Sequence, residues 1–203
     1  LFLILPFRRS FSDPSVYFRQ IQSVVSHVEH QKIPAVVFTS STSVYPNDLP
    51  IAREDIPFTP NTQRSKVLYD TEQLLLTNAH FTCTVLRLAG LVGGNRKIGK
   101  FLSGKKDVAG GNAPANLVHL DDCIQIMQRI IQQPVLDDVY NVCADKHPLK
   151  KDMYTVMAQK AGFQAPTFNE EDTSGGKKVD NTKIKQALGY EFLHPDPMNF
   201  PVV

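Results

Sequence analysis

The 203-residue sequence has no tryptophan and only three cysteines. Cys83, Cys123 and Cys143 are far apart and odd in number. That pattern argues against a disulfide scaffold and predicts reduced, buried thiols in a cytoplasmic protein. No apolar run approaches the ~18 residues of a membrane-spanning helix. The opening residues 1–6 are too short for a signal sequence and run into Arg8 and Arg9. Charge of one sign is also scarce: 22 Lys+Arg against 20 Asp+Glu leave a formal charge of +2. No segment is dense enough to form a nucleic-acid face, so small molecules are the expected partners. There is no nucleophile-elbow Gly-x-Ser-x-Gly, no P-loop and no cysteine cluster. His119 precedes Asp121 and Asp122, but one histidine beside two aspartates lacks a further ligand at workable spacing, so no metal site is predicted.

What is present is an alternation of strand-like and helix-like segments. Residues 1–5 read as a buried strand, ended by Pro6. Ser12 or Asp13 can cap the next helix, with Pro14 in its first turn. Phe18, Ile21, Val24, Val25 and Val28 recur at helical spacing and predict a helix over 15–31. The run Ala35-Val36-Val37-Phe38 suits a central parallel strand covered on both faces. Residues 46–61 contain four prolines and read as a loop, followed by a helix over 62–78. A strand is expected over 81–88, then a loose segment over 90–111 with a short helix near 98–102, then a brief extended run over 116–120. Asp121 or Asp122 is expected to cap a helix carrying Ile124, Met127, Ile130 and Ile131. A strand over 139–142, a helix over 149–161, a turn around Gly175-Gly176 and a short helix from Asp180 or Asn181 to Gly189 complete the order. Such alternation predicts a three-layer α/β sandwich.

Several stretches in this order resemble the extended short-chain dehydrogenase/reductases, the NAD-dependent epimerase/dehydratase family. Phe38-Thr39-Ser40-Ser41-Thr42-Ser43-Val44-Tyr45 is similar to a strand end where that family places a substrate-contacting serine. Ser65-Lys66 resembles the end of the family's Tyr-x-x-x-Lys helix. Leu86-Arg87-Leu88-Ala89-Gly90-Leu91-Val92-Gly93 resembles the strand and turn on the nicotinamide side. Asn116-Leu117-Val118-His119-Leu120-Asp121-Asp122 resembles the short strand and helix cap beyond it, and Lys183-Ile184 with Leu188-Gly189-Tyr190 the C-terminal tail. The resemblance implies a doubly wound parallel sheet of Rossmann type. Its glycine-rich phosphate loop is not found before the first strand, so the fold is expected to lack its first βαβ unit. It further implies a nucleotide-binding portion over 1–144, with a substrate-lobe insertion near 90–116, and a small C-terminal substrate lobe and tail over 145–203.

Carried over residue by residue, the resemblance makes Ser41 the group that orients substrate and Lys66 the contact to the cofactor ribose. Leu88, Ala89 and Gly90 would border the cofactor, which is NAD or NADP. Ser43, Arg96, Asn116 and His119 are further substrate-side candidates. Each has a plainer reading. Ser40, Ser41, Thr42 and Ser43 can satisfy the backbone of a tight turn, and Lys66 can pair with Asp70 one helical turn later. Arg87 can meet a phosphate or a structural partner. The three cations of residues 93–100 can hold a phosphate or face solvent.

The departure lies four residues before Lys66, where the family's tyrosine is replaced by Thr62. An aliphatic hydroxyl is far less acidic than a phenol and is a poor proton donor near neutral pH. Thr62 is better suited to capping the 62–78 helix, with Ser65 three residues on. Tyr45 and Tyr69 are the phenols near enough in sequence to substitute. Two functions are therefore expected as alternatives. One is an NAD(P)-dependent oxidoreductase or epimerase/dehydratase acting on a small polar or nucleotide-linked substrate, possible as a homodimer. The other is a non-catalytic NAD(P)-binding module with a sensor or protein-interaction role.

Overall fold

The structure is a computed structural model that describes residues 1–7, 13–133 and 136–202. Its elements run β1 (Phe2–Leu3), α1 (Ser15–His30), β2 (Ala35–Ser41), β3 (Ile51–Ala52), α2 (Gln63–Leu76), β4 (Thr82–Leu88), β5 (Gly90–Val92), β6 (Leu117–His119), α3 (Leu120–Gln132), β7 (Val139–Val142), α4 (Lys150–Lys160), β8 (Lys178–Val179) and α5 (Thr182–Leu188). The main sheet has the order β1-β2-β4-β7, and β3-β8 and β5-β6 form two small ladders. Every ladder is parallel. Parallel neighbours need crossovers, and helices supply them between the strands of the main sheet. The result is a parallel-sheet α/β fold of Rossmann type. Apolar runs in β2 and β4 place Val36, Phe38, Cys83, Val85 and Leu86 in one core with Ile21 and Val28 of α1, Leu68 and Leu75 of α2, and Ile126 of α3.

Local chemistry explains most boundaries. Thr62 caps α2 through a capping box: its hydroxyl accepts from Ser65 N at 3.0 Å, and Ser65 Oγ accepts from Thr62 N at 3.0 Å. At α1 the capping residue is Pro14, while Asp13 accepts from Ser15 N at 2.9 Å and from its hydroxyl at 2.7 Å. Ser12, the other cap expected there, lies outside the described residues. The α1 stripe is rotated from the expected one. Tyr17, Ile21, Val25 and Val28 are its buried positions, because Tyr17 stacks on Phe7 at 4.4 Å between centroids.

Three expectations need correction, and one choice between neighbouring residues is settled. The strand expected over 1–5 pairs only at Phe2 and Leu3, and Ile4 beyond them is 61% exposed. The loop expected over 46–61 contains β3, which pairs with β8. Of Asp180 and Asn181, it is Asn181 that occupies the cap position of α5. At α3 the cap is His119, neither Asp121 nor Asp122: its Nδ1 accepts from Asp121 N at 3.3 Å.

Cys83, Cys123 and Cys143 are buried and unpaired. Burial pushes the Cys83 and Cys123 thiols up to about 12 and raises Cys143 further. A second apolar cluster joins Val92, Ile98, Ala115 and Leu117 to Met153 and Met157 of α4 and to Phe200. Among the described residues no helix is long and apolar enough to cross a membrane.

Candidate functional site

In an open parallel sheet the ligand crevice lies beyond the C-terminal strand ends. Here β2 and β4 end side by side, with Ser40 opposite Arg87 and Ser41 opposite Leu88. Ser41 thus lies opposite Leu88, the first of the three residues expected to border a cofactor, and Ala89 and Gly90 follow it in the chain. The backbone of Gly90 donates to Asn116 O at 3.0 Å. A Cβ on Gly90 would sit 2.7 Å from Leu117 Cδ2 and 3.2 Å from Asn116 O, so a larger residue here would require the Leu117 side chain to move.

Ser41 is half-buried, and its Oγ accepts from Ser43 N at 3.1 Å as the cap of a single 3-10 turn, Thr42–Val44. That bond occupies one of the oxygen's acceptor sites and leaves the hydroxyl proton for another partner. Ser43 is exposed just beyond it. Lys66 is exposed on the first turns of α2, and the Asp70 pairing suggested by its spacing is not among the ion pairs of the described residues. Its ammonium is thus available to a ligand. A serine hydroxyl and a lysine ammonium are a donor set suited to ribose hydroxyls and a substrate oxygen.

The sequence reading missed what lies underneath. Glu72 is fully buried on α2 and faces Arg87, whose Nε reaches both carboxylate oxygens at 3.1 Å while Nη2 donates to Oε2 at 2.6 Å. Ser40 Oγ donates to the same carboxylate. Arg87 Nη1 donates to the Tyr45 hydroxyl at 2.6 Å, and that hydroxyl donates to Asn141 Oδ1 at 3.0 Å. Asn141 in turn donates from Nδ2 to Ala52 O and Asp180 O, both at 3.1 Å. A polar chain therefore ties α2, β2, β4, β7 and β3 together directly beneath Ser41. The signal in the sequence was Glu72 itself, a carboxylate on the buried face of α2 with Leu68 and Leu75, matched by Arg87 in an apolar strand.

This network fixes the roles open to the two phenols. Tyr45 is 2% exposed, both sides of its hydroxyl are engaged, and burial raises its pKa despite the Arg87 charge. Tyr69 is half-buried, with its ring edge on Phe58 at 5.6 Å, and Phe58 lies against Tyr45 at 4.7 Å. The Tyr69 hydroxyl has no hydrogen-bond partner among the described residues.

The remaining candidates have mixed placements. Asn116 braces β8: its Nδ2 donates to Lys177 O at 2.8 Å and its Oδ1 accepts from Val179 N at 3.0 Å. His119 caps α3 at the far end of the β5–β6 ladder from Gly90. Arg96 is exposed on a turn closed by mutual backbone bonds with Gly93. Lys177, not foreseen, is buried beneath the turn after Ser41. Its Nζ donates to Tyr45 O and Asn47 Oδ1, both at 2.8 Å, and burial lowers its pKa to about 8. Asn47 lines an adjoining cleft of about 470 Å³ with Asp48, Pro50 and Ser174. A second cleft of about 490 Å³ lies between α4 and residues 166–170.

Comparison with known proteins places these features in a lineage. The profile of the NAD dependent epimerase/dehydratase family matches residues 7–143. Protein YeeZ of Escherichia coli K12 is 37% identical over 203 residues, which cover all of this chain and 74% of that protein. A functionally unknown conserved protein from Silicibacter pomeroyi superposes with a TM-score of 0.77 at 24% identity, over 97% of this chain and 73% of that one. A UDP-glucuronic acid 4-epimerase from Bacillus cereus, solved with UDP-glucuronic acid and NAD, superposes with a TM-score of 0.74 at 17% identity, over 93% of this chain and 68% of that one.

Proposed function

The chain belongs to the NAD dependent epimerase/dehydratase family, and on that footing we propose that it binds NAD or NADP and carries out redox or epimerase/dehydratase chemistry on a small polar, nucleotide-linked substrate. The observation that carries this reading is the pairing of Ser41 with Leu88 at neighbouring strand ends, with Lys66 exposed on the following helix and without an ion-pair partner among the described residues. The nucleotide-sugar ligand of the Bacillus cereus epimerase supports the substrate class. When bound, the nicotinamide supplies hydride-accepting and hydride-donating chemistry. Ser41 donates its free hydroxyl proton to the substrate oxygen and orients the carbinol or carbonyl. Lys66 holds ribose hydroxyls, and its charge favours the deprotonated form of a nearby acid. Leu88, Ala89 and Gly90 form the wall on the nicotinamide side.

Proton transfer is where this chain departs from its family. The Thr62 hydroxyl is held in the capping box of α2 and is in any case a weak acid. Tyr45 is locked to Arg87 and Asn141. In our reading Tyr69, whose hydroxyl is uncommitted, moves the proton. The same Thr62 observation favours a second reading, a non-catalytic NAD(P)-binding module that keeps the fold without its proton relay.

Calorimetric titration of the full-length gene product with NAD, NADH, NADP and NADPH, followed by turnover assays on nucleotide sugars, separates these readings. Micromolar binding of one cofactor pair with turnover that Tyr69→Phe abolishes supports the enzyme. Binding without turnover supports the module, and no binding by a folded protein overturns both.

A further inference from the structure

We propose that His119, Asp121 and His194 form a site for a first-row transition-metal ion such as Zn²⁺, joining the C-terminal tail to the start of α3. The sequence offers one histidine beside an aspartate. The fold adds His194, 73 residues beyond Asp121. The Nε2 of His194 lies 3.2 Å from Asp121 Oδ2, and the Nδ1 of His119 lies 3.3 Å from the same oxygen. One donor atom from each of the three residues falls within 4.8 Å of the others. A tetrahedral ion with bonds of ~2.0–2.1 Å has ligand-to-ligand edges of roughly 3.3–3.4 Å. The two nitrogen-to-oxygen edges measured here already have that length.

The electrostatics of the corner point the same way. The Nδ1 of His119 accepts the backbone N–H of Asp121, so its lone pair is directed to the side where the carboxylate sits. The Nδ1 of His119 and the Asp121 carboxylate oxygen face one another at 3.3 Å, a spacing that a metal ion can bridge. Coordination would replace one long capping contact with a metal bond. Asp121 and Asp122 together offset the positive end of the helix, which would otherwise repel the ion.

The ligands are also held before any ion arrives. Asp122, fully buried, accepts from Leu193 N at 2.6 Å, His194 N at 3.2 Å and the Tyr190 hydroxyl at 2.7 Å, which fixes the tail beside α3. The two imidazoles lie 4.0 Å apart between centroids, with the Phe200 ring edge-on to both. Gly93, at φ +110°, leaves space where a Cβ would come within 3.0 Å of His119 Nε2. Asp121 is 56% exposed and gives an entry path. Two imidazoles and one carboxylate select Zn²⁺, Ni²⁺ or Cu²⁺ over Mg²⁺ or Ca²⁺, and three protein donors leave a position for water. The three cysteines are buried and lie outside this cluster.

The test is calorimetric titration of chelator-stripped full-length protein with ZnCl₂ and, separately, MgCl₂, together with thermal melts. Expected are one Zn²⁺ per chain, a rise in Tm on adding Zn²⁺, and no response to Mg²⁺. His194→Ala and Asp121→Asn should each weaken Zn²⁺ binding by about tenfold or more, the scale on which even outer-shell partners act. Both change side chains at least partly open to solvent, and His30→Ala at the end of α1 should leave binding unchanged. Absence of Zn²⁺ binding, undiminished affinity in either variant, or Mg²⁺ binding as tight as Zn²⁺ would overturn the proposal.

Discussion

Arg87 and Glu72 meet as a buried ion pair, their side chains 4% and 0% exposed, and the arginine engages the carboxylate through two nitrogens. Ser40 and Tyr45 complete the coordination of the pair. Removing one partner strands the other charge in the core, so Arg87→Ala or Glu72→Ala should each cost about 3–5 kcal/mol. Urea unfolding should show the two single losses to be far from additive in the double variant.

Thr62→Ala removes the hydroxyl that receives the Ser65 amide, so it should destabilise α2 by about 1 kcal/mol. Thr62→Ser keeps the oxygen and should be nearly neutral. Thermal melts read both. Because Thr62 is exposed and acts on its own helix, cofactor affinity should be unaffected by either change.

Glu54 accepts from Asn141 N at 2.6 Å, and burial raises its carboxyl above the usual 4.5. A raised folded-state pKa means that the folded chain holds this proton more tightly than the unfolded chain. The associated stability is complete below about pH 4.5 and is lost as pH climbs through the raised value. Glu54→Gln accepts the same bond without a charge and has no such loss. The difference in Tm, variant minus wild type, should therefore become more positive between about pH 4 and about pH 7.

Lys177 carries the opposite sign. Burial, with Lys150 nearby, lowers its pKa to about 8, so the folded state binds this proton less well than the unfolded chain. Its contribution to stability is present above about pH 10.5 and is lost as pH falls through about 8. In ¹³Cε-lysine NMR one resonance should titrate with a midpoint near 8, and Lys177→Met should delete it.

Exposed Lys66 makes no side-chain hydrogen bond or ion pair among the described residues, so Lys66→Ala should leave Tm unchanged while weakening NAD(P) binding by about tenfold, roughly 1.4 kcal/mol. Calorimetry on the full-length gene product checks it.

Segments bounded by local signals were legible in the sequence. The strand expected over 139–142 is β7 to the residue, and the helix expected over 62–78 is α2 with Thr62 at its cap. Segments whose structure depends on distant partners were not legible. β3 and β8 have two residues each, too few to show a period, and each is a strand only because the other lies beside it. His119 took the cap from the aspartates because Asp122 is drawn inward by the tail, a contact across some seventy residues. In the site, spacing and resemblance pointed to Ser41 and Lys66, and the fold sets Ser41 beside Leu88. Neither spacing nor resemblance indicated that Tyr45 would be bound to Arg87, or that Lys177 would lie beneath the turn after Ser41.

The anchoring of the tail on Asp122 sets a threshold for shortening the chain. Trimming back to about residue 195 leaves all three donors to that carboxylate in place, whereas cutting before Tyr190 removes them together. A buried anion stripped of every donor is costly enough to unfold a small domain. Progressive truncation should therefore cost stability in two stages, first as Phe200 leaves the second apolar cluster and then more steeply as His194, Leu193 and Tyr190 are removed in turn.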